Sequence, residues 1–201
     1  MYIVLDCGHS IQTKGKRSPD NQFFEYEYNR IIGRRVAERL KDLNIKCFFT
    51  YPIDEPTDLG LSKRAEAANK IAKEYGAGNV LLISIHSNGL GDGSKWINAK
   101  GWSIYTTIGK TKSDDYAEIF WEEAEKVCKK YGRTIRQDVS DGDKDIEENF
   151  TVIYKTICPS VLIEEFFYTD KEECNWLLSE EGKSACTEII VNAILKIENL
   201  K

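Results

Sequence analysis

Hydrophobic positions fall into two kinds of run along the chain. Short runs rich in β-branched and aromatic residues, at 2–5, 46–51, 80–85, 102–107, 151–154 and 160–163, predict strands. Between them, apolar residues recur at three-and-four spacing over 28–43, 61–75, 113–131 and 183–200, as in Ile31, Val36, Leu40 and Leu43, and predict amphipathic helices. Strands alternating with helices build right-handed parallel crossovers. Val80, Leu81, Leu82 and Ile83 are apolar at successive positions, the pattern of a strand covered on both faces. The expected fold is therefore α/β: a mostly parallel, twisted sheet of about six strands with helices on both faces. Two polar stretches, 88–101 and 138–149, read as loops, the second acidic and carrying a Ser140-Asp141-Gly142-Asp143 turn signal.

Length and charge narrow the class. The 201 residues suit one core better than two, so 1–201 is expected to be a single domain. Hydrophobic residues at 41%, charged residues at 30% and only four Pro exclude a disordered or collagen-like chain. No apolar run approaches the roughly 20 residues of a membrane-spanning helix. Lys plus Arg number 28 against 33 Asp plus Glu, a net charge of −5, which offers no cationic surface for nucleic acid. Met1 leads straight into a strand-like run without the basic and apolar regions of a secretory signal, so the chain as written is expected in the cytoplasm. Its six cysteines lack a Cys-x-x-Cys pair and read as reduced structural thiols, and a monomer is the default expectation.

The chain has two histidines, and both follow or end a predicted strand: His9 in Leu5-Asp6-Cys7-Gly8-His9-Ser10, and His86 in Ser84-Ile85-His86-Ser87-Asn88. The carboxyl ends of parallel strands are where ligands gather, so the two imidazoles can converge on one sheet edge. A catalytic zinc takes three protein ligands, imidazoles with or without a carboxylate, and keeps its fourth position for water. Glu25, at the start of the first long helix, is the candidate third ligand. Taken alone, each histidine is as readily a hydrogen-bonded strand-end residue, and Glu25 and Glu27 a solvated pair favoured by the helix dipole. The last strand delivers Glu164 and Glu165 into Phe166-Phe167-Tyr168. Buried carboxylates need a partner, a proton or a metal, and successive strand residues face opposite ways, so only one of the two can look into a given site. Spacing does not say which. Trp96, Trp102, Tyr105 and Tyr168 are candidate stacking residues.

These motifs carry a family resemblance over almost the whole chain. Ile3 to His9 ends in Gly-His; Glu25 stands four residues before Asn29; Ser84 to Asn88 reads Ser-Ile-His-x-Asn; Gly101-Trp102-Ser103-Ile104-Tyr105 is a Gly-aromatic strand; Pro159 to Glu164 reads Pro-x-Val-Leu-x-Glu; and Leu61, Arg64 and Asn69 fit between. In this order they resemble the zinc-dependent N-acetylmuramoyl-L-alanine amidases of bacteria and their phages. The resemblance implies a zinc ion (Zn2+) held by His9, Glu25 and His86, with Glu164 as the catalytic carboxylate. The implied reaction cuts the amide between N-acetylmuramic acid and L-alanine in peptidoglycan or muropeptides. Asp6 or a backbone carbonyl is the candidate for orienting a zinc-bound histidine by a hydrogen bond. Departures are Ser10 after the histidine, Glu165 where the family has a small or polar residue, and Phe166-Phe167 in place of Gly-Phe. Two rival readings remain: a non-catalytic zinc-containing peptidoglycan-binding module, for which Glu164 is superfluous, and a zinc peptidase acting on the stem peptide. A cytoplasmic chain would reach the wall through a holin or another route.

Overall fold

The computed structural model describes residues 1–200. Their six-stranded sheet has the order β2-β1-β3-β6-β4-β5, from β1 (Tyr2–Cys7), β2 (Cys47–Phe49), β3 (Val80–Asn88), β4 (Ser103–Thr106), β5 (Ile146–Glu147) and β6 (Ser160–Phe167). All neighbouring pairs are parallel except β4 against β6. The helices are α1 (Glu25–Asp42), α2 (Leu61–Tyr75), α3 (Lys112–Tyr131), α4 (Thr151–Tyr154), α5 (Lys171–Leu178) and α6 (Glu180–Asn199). None is long and apolar enough to cross a membrane. All six cysteines are free.

Strand alternation sorts the core into two layers. Ile3, Leu5, Leu81, Ile83, Ile85, Val161 and Ile163 pack with Ile32 and Val36 of α1, Phe120 of α3 and Ile190 of α6. Val4, Val80, Leu82 and Leu162 face the other way, onto Ala68 and Ala72 of α2 and Val152 and Ile153 of α4. Each strand thus buries both faces, which explains its unbroken apolar run. Because β1, β3 and β6 are parallel, their carboxyl ends share one edge, and the register sets Cys7 beside Ile85 and His86 beside Glu164.

Three elements depart from the sequence reading. The β-branched segment 151–154 is not a strand but one helical turn, closed by Tyr154 N–H to Phe150 O (2.9 Å) and Lys155 N–H to Thr151 O (3.1 Å). Burying Val152 and Ile153 against the sheet while Tyr154 stays outside satisfies that turn better than strand propensity does. The sixth strand comes instead from the acidic stretch, where Ile146 and Glu147 add to β4. The sequence reading also lacks α5, whose start is capped by Asp170 Oδ1 accepting from Glu172 and Glu173 N–H at 3.0 Å each.

On the α1/α6 face of β6, Glu165 is fully buried and neither of its oxygens has a hydrogen-bond partner. Burial raises its pKa well above the usual carboxylate range and favours the protonated form in the fold. In the unfolded chain it ionises near 4.5, so this residue makes the fold progressively less stable as pH climbs above that value. Glu165→Met, of similar volume, is expected to raise stability by about 1–3 kcal/mol at pH 7 and by less at pH 5, read by urea melts at both pH values. Destabilisation at both would contradict this account of Glu165.

Candidate metal centre

β1 stops at Cys7, and the chain then turns sharply. Gly8 leaves room for a ring: a Cβ there would lie 2.2 Å from Cε1 of His86. His9 adopts φ 65°, a left-handed conformation unfavourable for a side-chain-bearing residue that persists only when its surroundings hold it. They do so through main-chain contacts. Cys7 O accepts from Tyr51 OH and from Arg64 Nη2. Gly8 N–H donates to Ile85 O at 2.8 Å, and Gly8 O accepts from Asn29 Nδ2 at 3.2 Å.

α1 brings in the third residue. It begins at Glu25, with Glu25 and Glu27 in the first turn, where the helix dipole favours negative charge. The Glu25 carboxylate is 1% exposed, and its Oε1 lies 3.2 Å from His9 Nε2 and 3.1 Å from His86 Nδ1, while also accepting from Ser87 N–H at 3.2 Å. Its Oε2 is buried without a partner. The two rings meet edge to face at 4.9 Å.

These groups fit a metal better than a purely hydrogen-bonded trio. One donor atom from each of His9, Glu25 and His86 lies within 4.8 Å of the others. Bonds of 2.0–2.1 Å at tetrahedral angles put ligand atoms about 3.3 Å apart, close to the observed contacts, whereas charged N–H to carboxylate hydrogen bonds run shorter, at about 2.7–2.9 Å. Two imidazoles and a carboxylate are a donor set suited to zinc. Protonation points the same way. Burial lowers the pKa of His86, only partly offset by Glu25, so its ring tends to the neutral form a metal requires. Burial opposes the charge on Glu25, but hydrogen bonds from His86 and His9 outweigh it and hold the carboxyl well below its usual range.

Glu164 lies next to this cluster. It is the register partner of His86 on the adjacent strand, and the next residue, Glu165, turns to the opposite face. Beyond Glu164 the register slips between His86 and Asn88, and Phe166 takes φ 57°, a bulge that ends regular pairing beside the cluster. Glu164 Oε2 is buried and unpaired. Burial first, then the Glu25 charge, raise the Glu164 pKa well above normal, and Lys16 partly counters them.

The structure thus brings together His9, Glu25, His86 and Glu164. β3 continues to Asn88, so His86 stands just inside its strand instead of ending it. Asp6, a sequence candidate for orienting a histidine, instead accepts from Thr50 Oγ1 (2.6 Å) and Ser84 Oγ (2.8 Å) and pairs with Arg64 Nε (3.1 Å). Of the stacking candidates, Trp102 is fully buried in the core and Tyr105 packs edge to face on Phe150. Tyr168, 3% exposed, stacks on Phe23. Trp96 is half-buried against the core. Sequence reasoning assigned no role to Lys16, or to the contacts by which Arg64 and Asn29 hold the turn; a cation in a loop, and polar residues on helical faces, carry no spacing signal of their own.

The family model described as N-acetylmuramoyl-L-alanine amidase matches residues 3–196. The chain belongs to that family and is an amidase. It is 25% identical over 196 residues to the protein YqiI of Bacillus subtilis (strain 168), covering 96% of this chain and 82% of that one. Among solved structures it is similar to an N-acetylmuramoyl-L-alanine amidase of Clostridium difficile 630, with TM-score 0.82 and 24% identity over 100% of this chain and 98% of the other. It is also similar to the catalytic domain of CwlV, an N-acetylmuramoyl-L-alanine amidase from Bacillus (Paenibacillus) polymyxa var. colistinus, with TM-score 0.79 and 23% identity over 100% of both chains. At these identities the structural likeness establishes the fold.

The buried, neutral His86 has a pH consequence. Its folded pKa lies below the unfolded 6.5, so its contribution to stability is present above 6.5 and is lost as pH falls through that value towards the folded one. In metal-free protein, NMR titration is expected to show the His86 ring ionising below 6.5, with His86→Ala identifying the resonance. A midpoint above 6.5 would contradict the burial argument.

Proposed function

We propose that this amidase is zinc-dependent, that His9, Glu25 and His86 are its metal ligands, and that Glu164 is its catalytic carboxylate. Its substrate is the amide joining N-acetylmuramic acid to L-alanine in peptidoglycan or muropeptides, and residues 1–201 act as a single catalytic domain. The observation that carries the reading is the Glu25 carboxylate set 3.1–3.2 Å from both imidazoles with its second oxygen unpaired. Membership of the amidase family supplies the reaction class.

A zinc ion held by these three residues would supply Lewis acidity, polarising the scissile carbonyl and making the attacking water acidic near neutral pH. The chain's own groups do the rest. Burial disfavours charge on His86 and so favours the neutral ring, while Tyr51, Arg64 and Asn29 fix the Cys7–Gly8–His9 main chain that presents the His9 ring. Glu164 accepts the proton of the attacking water on its unpaired Oε2 and passes it to the departing L-alanine nitrogen, a poor leaving group without that proton. Surroundings that raise its pKa favour holding the proton until the C–N bond breaks.

The test is muropeptide mass spectrometry on sacculi digested by zinc-loaded wild type and by Glu164→Gln. Wild type is expected to release peptides beginning with L-alanine, and Glu164→Gln to keep its zinc while losing about 10²- to 10⁴-fold in kcat. Zinc bound without cleavage by either protein would favour the binding-module reading. Cuts within the stem peptide alone would favour the peptidase.

A further inference from the structure

A second group of carboxylates lies at the other end of the sheet. Ser103 is the register partner of Glu164, and β4 runs antiparallel to β6, so Thr106 at the far end of β4 stands about 10 Å further along the strands. Around Thr106 gather Asp114 from the first turn of α3 and Asp143 and Asp145 from the acidic segment leading into β5, each offering an oxygen within 4.8 Å of the others. Asp114 is 3% and Asp145 1% exposed.

Counting protons shows that these oxygens are underserved. The Thr106 hydroxyl lies 2.6 Å from Asp145 Oδ2 and 3.1 Å from Asp114 Oδ1, yet it carries one proton and can donate fully to only one of them. Asp114 Oδ2 is satisfied by Thr111 N–H (2.5 Å) and Oγ1 (3.0 Å) in a capping box. Asp145 Oδ1 and Asp143 Oδ1 are buried with no N–H or hydroxyl donor, and the two carboxyls meet each other, a contact that requires a shared proton or a cation. The nearest lysine in sequence is engaged elsewhere: Lys144 Nζ pairs with Glu118 Oε2 at 2.9 Å and lies 4.4 Å from the Trp121 ring centroid. Unpaired buried carboxylate oxygens are costly, and three carboxylates packed together add mutual repulsion. A cavity of about 410 Å³, lined in part by Lys110, Asp114, Glu118 and Asp143, gives access from solvent.

We propose that Asp114, Asp143 and Asp145, with the Thr106 hydroxyl, form a second cation site that takes a hard divalent ion of the calcium or magnesium class and clamps the acidic segment to the start of α3. The donors are all oxygen, without the imidazole or thiolate that would select zinc, and a divalent ion would offset most of the charge of three carboxylates. Asp143 and Asp145 come from the bent segment that precedes β5, and Asp114 approaches from the first turn of α3. The site serves the fold and lies apart from the His9–Glu25–His86 cluster.

The experiment is isothermal titration calorimetry of CaCl2 and of MgCl2 into zinc-loaded protein, with thermal melts alongside. Wild type is expected to bind one ion and to gain about 5–10 °C in Tm at a hundredfold excess over Kd. Whichever salt gives this response identifies the ion. Asp145→Asn and the more exposed Asp143→Asn are each expected to weaken binding at least about tenfold. Both should keep zinc content and amidase activity, which separates this site from the first even if one variant folds poorly. Absence of heat and of any Tm shift with either ion at about 10 mM would overturn the proposal, as would equal binding by wild type and both variants.

Discussion

The arrangement of this amidase depends on one buried carboxylate. Glu25 is almost completely removed from water, and the groups that compensate its charge are His9 and His86, reached through a single oxygen at 3.2 and 3.1 Å. An isolated ionised carboxylate at such a site is strongly disfavoured, so Glu25 has to be matched by positive charge, from protonated rings or from a metal. The three residues come from β1, β3 and α1, and their meeting fixes how α1 lies across the sheet edge.

The turn after β1 is what lets the carboxylate reach both rings, and a second buried pair secures that turn. Arg64 on α2 pairs with Asp6 and, through Nη2, holds the carbonyl of Cys7, while Thr50 and Ser84 fill the remaining positions around Asp6. Losing one member of such a pair leaves an uncompensated charge and typically costs about 3–5 kcal/mol. Here it would also free the main chain that keeps His9 at positive φ. α2, on one face, and α1, whose Asn29 holds Gly8 O, therefore share the task of positioning one histidine.

Much of this was legible in the sequence because it rests on local patterns. Unbroken apolar strands and three-and-four helical spacing led to the mostly parallel sheet with two covered faces, and two histidines at strand ends marked the edge where the cluster forms. What was not legible depends on tertiary contact. The segment 151–154 carries strand-forming residues yet makes a helical turn because Val152 and Ile153 find their apolar surroundings beneath the sheet that way. Ile146 and Glu147 lack any strand signal and pair only because β4 offers a free edge. The difference between Glu164 and Glu165 follows from strand parity, which a sequence supplies only once the register against β3 is known: one lies beside His86, the other faces α1 and α6 without a partner. Asp6 was misjudged for the same reason, since its distant partner Arg64 is invisible to spacing.

The claim most exposed to test is that the two imidazoles and Glu25 enclose zinc. X-ray absorption spectroscopy at the zinc edge, on protein purified with one equivalent of the ion, tests it directly. The account predicts a four-coordinate spectrum built only of nitrogen and oxygen at about 2.0–2.1 Å, with the outer scattering of two imidazoles. A sulfur contribution near 2.3 Å, which would bring in a cysteine such as Cys7, or a spectrum with fewer than two imidazoles, would contradict it.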